Sequence, residues 1–245
     1  MHPYESNPHN IPQSDLYSDI PLYGRYCPSP EDFHVDVQHV NSSSEESLRY
    51  WATVVELCTE SNMIFPADAD QGRDVFAVGS VIVKSSHRHQ EDKIDYSYAD
   101  ANEVQAIAIA RSVLKGVKVP DIYFSGKIDG RAVLIQERLP GRRDHIVPDP
   151  NILTNGRLNP REAHILLSAK HDQDMSFTHN DFTPSNCIVN DDRIVGLIDW
   201  EVAGYLGWET AGDVHRKIRC PQREHYVLAN LSEGELQDMM WWNDL

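Results

Sequence analysis

The chain has 245 residues, 40% hydrophobic and 24% charged, with a formal net charge of -16 at pH 7. That is ordinary for a globular protein, with room for one large domain or two lobes around a cleft. The acidic excess carries no basic stripe, which argues against nucleic acid as a partner, and no apolar run reaches the ~18 residues of a membrane span.

The N-terminal Met1-His2-Pro3-Tyr4-Glu5 lacks the basic and apolar regions of a signal peptide. Four scattered cysteines, Cys27, Cys58, Cys187 and Cys220, have neither zinc-ribbon nor disulfide-framework spacing. Together these point to a reduced, cytoplasmic protein. The acidity serves solubility and is compatible with a cationic acceptor such as an amine.

Residues 1–40, with six prolines and little apolar periodicity, read as a disordered or loosely docked arm. Ser42 to Glu46 opens a helix running to Glu60, Ser43 and Glu46 fitting a capping box. Ala67 to Asp74 holds Asp68, Asp70 and Gly72, but the glycine falls one place early for a calcium loop and Gly79 stands where the closing glutamate belongs. Val75 to Lys84 reads as two strands hinged at Gly79, the second buried and ending in lysine. A lysine there either needs an anionic partner or snorkels to solvent. His87 and His89 lie in a polar loop with no third metal ligand in sight.

Ala99 to Lys115 is a helix traced by Val104, Ile107, Ala108, Arg111 and Leu114 and ended by Gly116, with Glu103 in its first turn. Val117 to Phe124 and Gly130 to Leu139 read as strands. Between Gly141 and His179 lie 37 residues, polar as far as Asn159, with one short helix over about Pro160 to Lys170.

His179 to Glu201 is the informative stretch. Asp181 and Asn186 share a loop with Pro184, and Asn190-Asp191-Asp192 is a turn before a buried strand, Ile194 to Ile198, with Asp199 at its end. A hairpin would bring both acidic groups together. Turns use such residues constantly, but the ordered set H-x-D-x-x-x-x-N followed by an Asp after an apolar strand is what phosphoryl transfer from ATP requires: one carboxylate to orient the acceptor hydroxyl, and a carboxylate and an amide oxygen for Mg²⁺. Gly204 to Lys217 reads as a turn and a helix, and Ser232 with Glu235 as a capping box for a last helix through Trp242.

This pattern resembles the aminoglycoside phosphotransferase family, a branch of the protein-kinase-like fold. Ile198-Asp199-Trp200-Glu201, followed by Ala203-Gly204 and Trp208-Glu209, is most similar to its fungal members. The resemblance covers about residues 70 to 215. It implies an α+β, two-lobed kinase-like fold: an antiparallel sheet plus helix in an N-lobe, 41–139, and a mainly helical, shortened C-lobe, 140–245.

It further implies Asp181 as catalytic base, Asn186 and Asp199 as Mg²⁺ ligands, and His179 as a structural brace. Lys84, held by Glu103, would fix the ATP phosphates, and the main chain from Glu137 to Leu139 would meet the adenine. Trp208 and Glu209 would be structural. The function implied is transfer of the γ-phosphate of ATP to a small-molecule hydroxyl. The absent H-R-D arginine and A-P-E segment disfavour a protein acceptor. The glycine pattern of the phosphate-covering loop is missing, and the stretch after Gly141 is short for the family. Two alternatives arise from that: a kinase-like module that binds nucleotide or a protein partner without turnover, and a fragment that folds poorly alone.

Overall fold

A computed structural model describes residues 25–26, 28–67, 73–89, 94–143, 160–167, 175–183, 186–190, 193–220, 232–234 and 237. The expected phosphate-covering loop (68–72), most of 144–174, Pro184 and the helix through Trp242 fall largely or wholly outside them.

The first lobe is a five-stranded antiparallel sheet in the order β2-β3-β4-β6-β5. Its strands are β2 (Met63–Phe65), β3 (Asp74–Val78), β4 (Val81–Ser85), β5 (Ile122–Ile128) and β6 (Arg131–Glu137). Helix α1 (Glu45–Glu56) buries Trp51, Val54 and Val55 against Phe76, Val81, Val83, Phe124, Val133 and Ile135. Its N-cap is Ser44, which accepts from the Ser47 amide, not Ser43 in a box with Glu46. Three serines in a row offer nearly equal caps. The choice falls to Ser47, which is buried and bonded to Ser42, Ser44 and His39.

The strand break at Gly79 is where the sequence places it. Gly79 has φ +54, and a Cβ there would lie 2.3 Å from the Phe33 nitrogen. That close approach shows how the described part of the expected loose arm behaves: residues 28–40 are docked. Ser80 donates to the Phe33 carbonyl, Phe33 and Val35 pack on the core, His39 is buried, and Trp51 Nε1 donates to the His39 carbonyl. Upstream, β1 (Arg25–Tyr26) pairs with β7 (Gly141–Arg143). Proline content signals lack of helix or strand, which is not lack of packing.

Helix α2 (Ser97–Val113) joins the two lobes. It starts earlier than expected because Asp95 accepts from the Ser97 amide and hydroxyl, so Glu103 lies in the second turn. Ala106, Ile107 and Ala110 pack on Cys187, Leu197, Trp200 and Ala203 of the second lobe. That lobe contains β8 (Met175–Thr178) paired with β11 (Gly204–Gly207), and the hairpin β9 (Cys187–Asn190) and β10 (Arg193–Leu197) extending the β1-β7 pair. Its described helices are α3 (Pro160–Leu167) and α4 (Trp208–Val214), the latter running into a π turn (His215–Arg219). Lys118 lies parallel to Gly196, with bonds of 2.8 Å to the Val195 carbonyl and 2.9 Å from the Leu197 amide, stitching the lobes together beside the site. Among the described residues no helix is long and apolar enough to cross a membrane.

Candidate active site

Lys84 is set by β4, where its neighbours are Val75 on β3 and Leu134 on β6. It is buried and does not snorkel. Its Nζ lies 2.8 Å from Glu103 Oε2 and 2.6 Å from Asp199 Oδ1. Burial alone would lower its pKa, but the Asp199, Glu103 and Glu201 carboxylates outweigh that and hold the ammonium above its ordinary value. Burial pushes the fully buried Glu103 upward, with Lys84 pulling the other way.

Asp199 sits at φ +65, a left-handed backbone that Asp and Asn tolerate better than most side chains. The strain is held by its surroundings. The Ile198 amide donates to the Asn186 carbonyl at 3.0 Å, Trp200 is buried with Nε1 donating to the Leu197 carbonyl, and His179 packs on Trp200 with ring centroids 4.4 Å apart. His179 donates from Nε2 to the Ile198 carbonyl at 2.9 Å, and burial pulls its pKa down to about 4. It is a neutral donor to the backbone just before Asp199.

Asp181 and Asn186 meet directly. Asn186 Nδ2 donates to Asp181 Oδ2 at 2.8 Å and to the Asp181 carbonyl at 2.9 Å. That leaves the amide oxygen, the atom a hard cation takes, as the end not used on Asp181. The structure thus gathers Lys84, Glu103 and Asp199 in one cluster, and Asp181 with Asn186 on the adjoining loop.

The segment from Glu137 to Leu139 is more committed than expected. The Glu137 amide donates to the Asp121 carbonyl, the Arg138 amide to the Ser80 carbonyl, and the Glu137 side chain pairs with Lys118. Leu139 is buried over Gly196, where a Cβ would lie 2.7 Å from its Cδ1. The Glu137 and Arg138 amides are thus already bonded within the protein. Trp208, for which the resemblance implies a structural role, is 75% exposed at the start of α4, a helix that buries Thr210 and Val214.

Sequence reasoning missed several members. Arg73 is buried, ion-paired with Asp100, and 2.9 Å from Glu201 Oε2. Burial opposes its charge, and Asp100, Glu201 and Glu103 outweigh that. Asn102 Nδ2 donates to the Glu201 and Ala203 carbonyls at 2.8 and 3.0 Å. The buried Arg219 approaches Asp181. Asp100 did carry a signal, lying three residues before Glu103 on the same helix face; Arg219 carried none.

Glu103, Asp199 and Glu201 bring ligand oxygens within 4.8 Å of one another, the group able to share an ion among the described residues. An all-oxygen donor set suits a hard divalent cation such as Mg²⁺. The charge fits too: Arg73 and Lys84 face Asp100, Glu103, Asp199 and Glu201, leaving two negative charges in excess.

Residues 155–206 match the phosphotransferase enzyme family. The matched stretch holds Asp181, Asn186, Asp199 and Glu201, while Lys84 and Glu103 lie outside it. Among curated proteins none matches the chain. Solved structures similar to it include an aminoglycoside-3'-phosphotransferase of type VIII, 15% identical over 74% of this chain and 83% of that one with TM-score 0.47. The streptomycin-ATP-APH(2")-IIa ternary complex is 13% identical over 70% and 75%, with TM-score 0.43. Macrolide 2'-phosphotransferase MphH from Brachybacterium faecium is 12% identical over 78% and 82%, with TM-score 0.39. Identities and scores this low say nothing of a substrate.

Proposed function

We propose that this protein is a kinase-like phosphotransferase that uses ATP and Mg²⁺ to phosphorylate a hydroxyl of a small molecule. The observation that carries this reading is Lys84 lying between Glu103 and Asp199, 115 positions downstream, with the Asp181–Asn186 pair on the adjoining loop.

Each residue has a role. Lys84, kept charged by Glu103, holds the phosphates. Asn186 and Asp199 would hold Mg²⁺, with Glu201 and Glu103 close enough to share in it, and the ion would neutralise charge on the phosphates. Asp181 orients the acceptor hydroxyl and takes its proton as the oxygen attacks the γ-phosphorus and the bond to the ADP oxygen breaks. His179 stays neutral and braces the metal loop. The main chain at Leu139 meets the adenine. The net charge of -16 is compatible with a cationic acceptor, and amino-alcohols and aminoglycosides are the first candidates to try. Buried free thiols at Cys58, Cys187 and Cys220 suit the cytoplasm.

Thermal unfolding with and without ATP and Mg²⁺, on wild type and Asp199→Ala, tests the reading. A ligand at a hundredfold excess over its Kd stabilises by about 2.7 kcal/mol. Wild type should shift when both are present and the variant should not. Phosphate transfer to a panel of amino-alcohols then identifies the acceptor. A cooperative melt with no shift overturns the reading in favour of a partner-binding module.

A further inference from the structure

We propose that Arg219 positions the Asp181 carboxylate and is aimed at it by the π turn after α4. This rests on the phosphotransferase reading and its assignment of Asp181.

Three basic residues lie close together here, and they divide sharply. Arg216 and Lys217 are exposed and pair with Asp213 on their own helix. Arg219 is 6% exposed. A guanidinium cannot shed its proton, so at this depth it needs acceptors. Its Nε donates to the Asn180 carbonyl at 2.9 Å and lies 3.3 Å from Asp181 Oδ1. The other carboxylate oxygen, Oδ2, accepts from Asn186. Asp181 is thereby held from both sides, by an amide on one oxygen and a cation on the other. That fixes the carboxylate's rotation, which a base must have to meet a hydroxyl in line with phosphorus.

The backbone supports the assignment. Asn180 has φ +59, an uncommon conformation for a non-glycine residue, and Arg219 bonds its carbonyl. The π turn explains how an arginine so far downstream arrives there. The Cys220 amide reaches back five residues to the His215 carbonyl at 2.9 Å. Taking in one residue more than an α-turn rotates the chain beyond it by about 100°. The turn is anchored by buried Val214 and Ile218, and by His215, whose ring faces Phe182 at 6.3 Å, one residue after Asp181.

The test uses the full chain, with water as acceptor. Phosphate release from ATP and Mg²⁺ is measured for wild type, Asp181→Asn, Arg219→Gln and Arg219→Lys, alongside Mg-ADP affinity by calorimetry. The water oxygen attacks the γ-phosphorus, the bond to the ADP oxygen breaks, and a water proton passes to Asp181. Arg219→Gln should lose about 100-fold in turnover, the size expected of a misplaced reacting group, with Mg-ADP affinity unchanged. Arg219→Lys should recover most of it. Full turnover in Arg219→Gln while Asp181→Asn is silent overturns this inference alone. Equal loss of turnover, nucleotide affinity and cooperative melting in both Arg219 variants makes the residue merely structural and also overturns it. A silent wild type, or an Asp181→Asn variant as active as wild type, overturns the underlying reading.

Discussion

Arg73 donates to Glu201 at 2.9 Å across 128 positions of sequence, so the chain just before β3 is tied to the loop after Asp199. The same guanidinium is paired with Asp100 on α2, and its charge is part of what steadies an otherwise over-acidic cluster. Glu201 therefore faces two cations, Arg73 and the proposed Mg²⁺. In Glu201→Gln the amide oxygen still accepts from Arg73, while one excess negative charge disappears. Without metal the variant should melt within about 0.5 kcal/mol of wild type. Its gain on adding Mg²⁺ should shrink, with Mn²⁺ affinity by electron paramagnetic resonance about tenfold weaker, the order expected for one lost ligand. Unchanged Mn²⁺ affinity would remove Glu201 from the metal shell.

Removing one partner of a buried pair leaves the other charge without compensation. Lys84→Met exposes Glu103, which is 0% exposed, to that penalty. The expected cost is about 3 kcal/mol, at the lower end for buried pairs because burial raises the Glu103 pKa and, once Lys84 is gone, lets the carboxyl take a proton. For the same reason the cost should be larger at pH 8 than at pH 6, where the carboxyl can take a proton. The double variant Lys84→Met with Glu103→Leu should be more stable than the single one. Urea unfolding at both pH values measures this. A double variant no better than Lys84→Met would mean that the pair's packing, rather than its charge, holds the site.

Much of the site was readable because its chemistry is local. The H-x-D-x-x-x-x-N spacing lies in one loop, Asp199 comes directly after one hairpin, and apolar periodicity marked the helix bearing Glu103. What escaped was contact between distant segments. Arg73 looks like a loop residue until the chain entering β3 sets it opposite Asp100 and Glu201, and Arg219 meets Asp181 from 38 positions downstream, at the end of the π turn proposed to aim it. Neither leaves a periodic trace. The docking of residues 28–40 was equally silent, since it runs through the Phe33 main chain and a space that only a glycine at position 79 leaves open.

Gly79 and Gly130 separate two costs of a side chain. Both have positive φ, +54 and +78, but a Cβ at Gly130 meets nothing within 4 Å whereas one at Gly79 strikes the Phe33 backbone. Gly130→Ala should cost about 1 kcal/mol, the conformational strain alone. Gly79→Ala should cost at least about 2 kcal/mol, since the Phe33 backbone must also move. It should further loosen residues 28–40, visible as faster amide exchange at Ser80. Equal costs for the two would mean that Phe33 can shift freely.

His179 sets an acid limit on the fold. Its folded pKa of about 4 lies below the ordinary 6.5, because burial disfavours the imidazolium. Between those values the unfolded chain takes a proton that the folded one refuses. Stability contributed by neutral His179 is therefore complete above about pH 6.5 and falls as pH drops toward 4. At pH 5 the loss should be about 2 kcal/mol relative to pH 7.5. His179→Gln keeps an N–H for the Ile198 carbonyl but has nothing to titrate. Its stability, lower at pH 7.5 through poorer packing on Trp200, should decline less between the two pH values, as read from urea midpoints. Parallel declines in the two proteins would show that the imidazole accepts a proton in the folded state at pH 5, so that burial does not exclude its charged form.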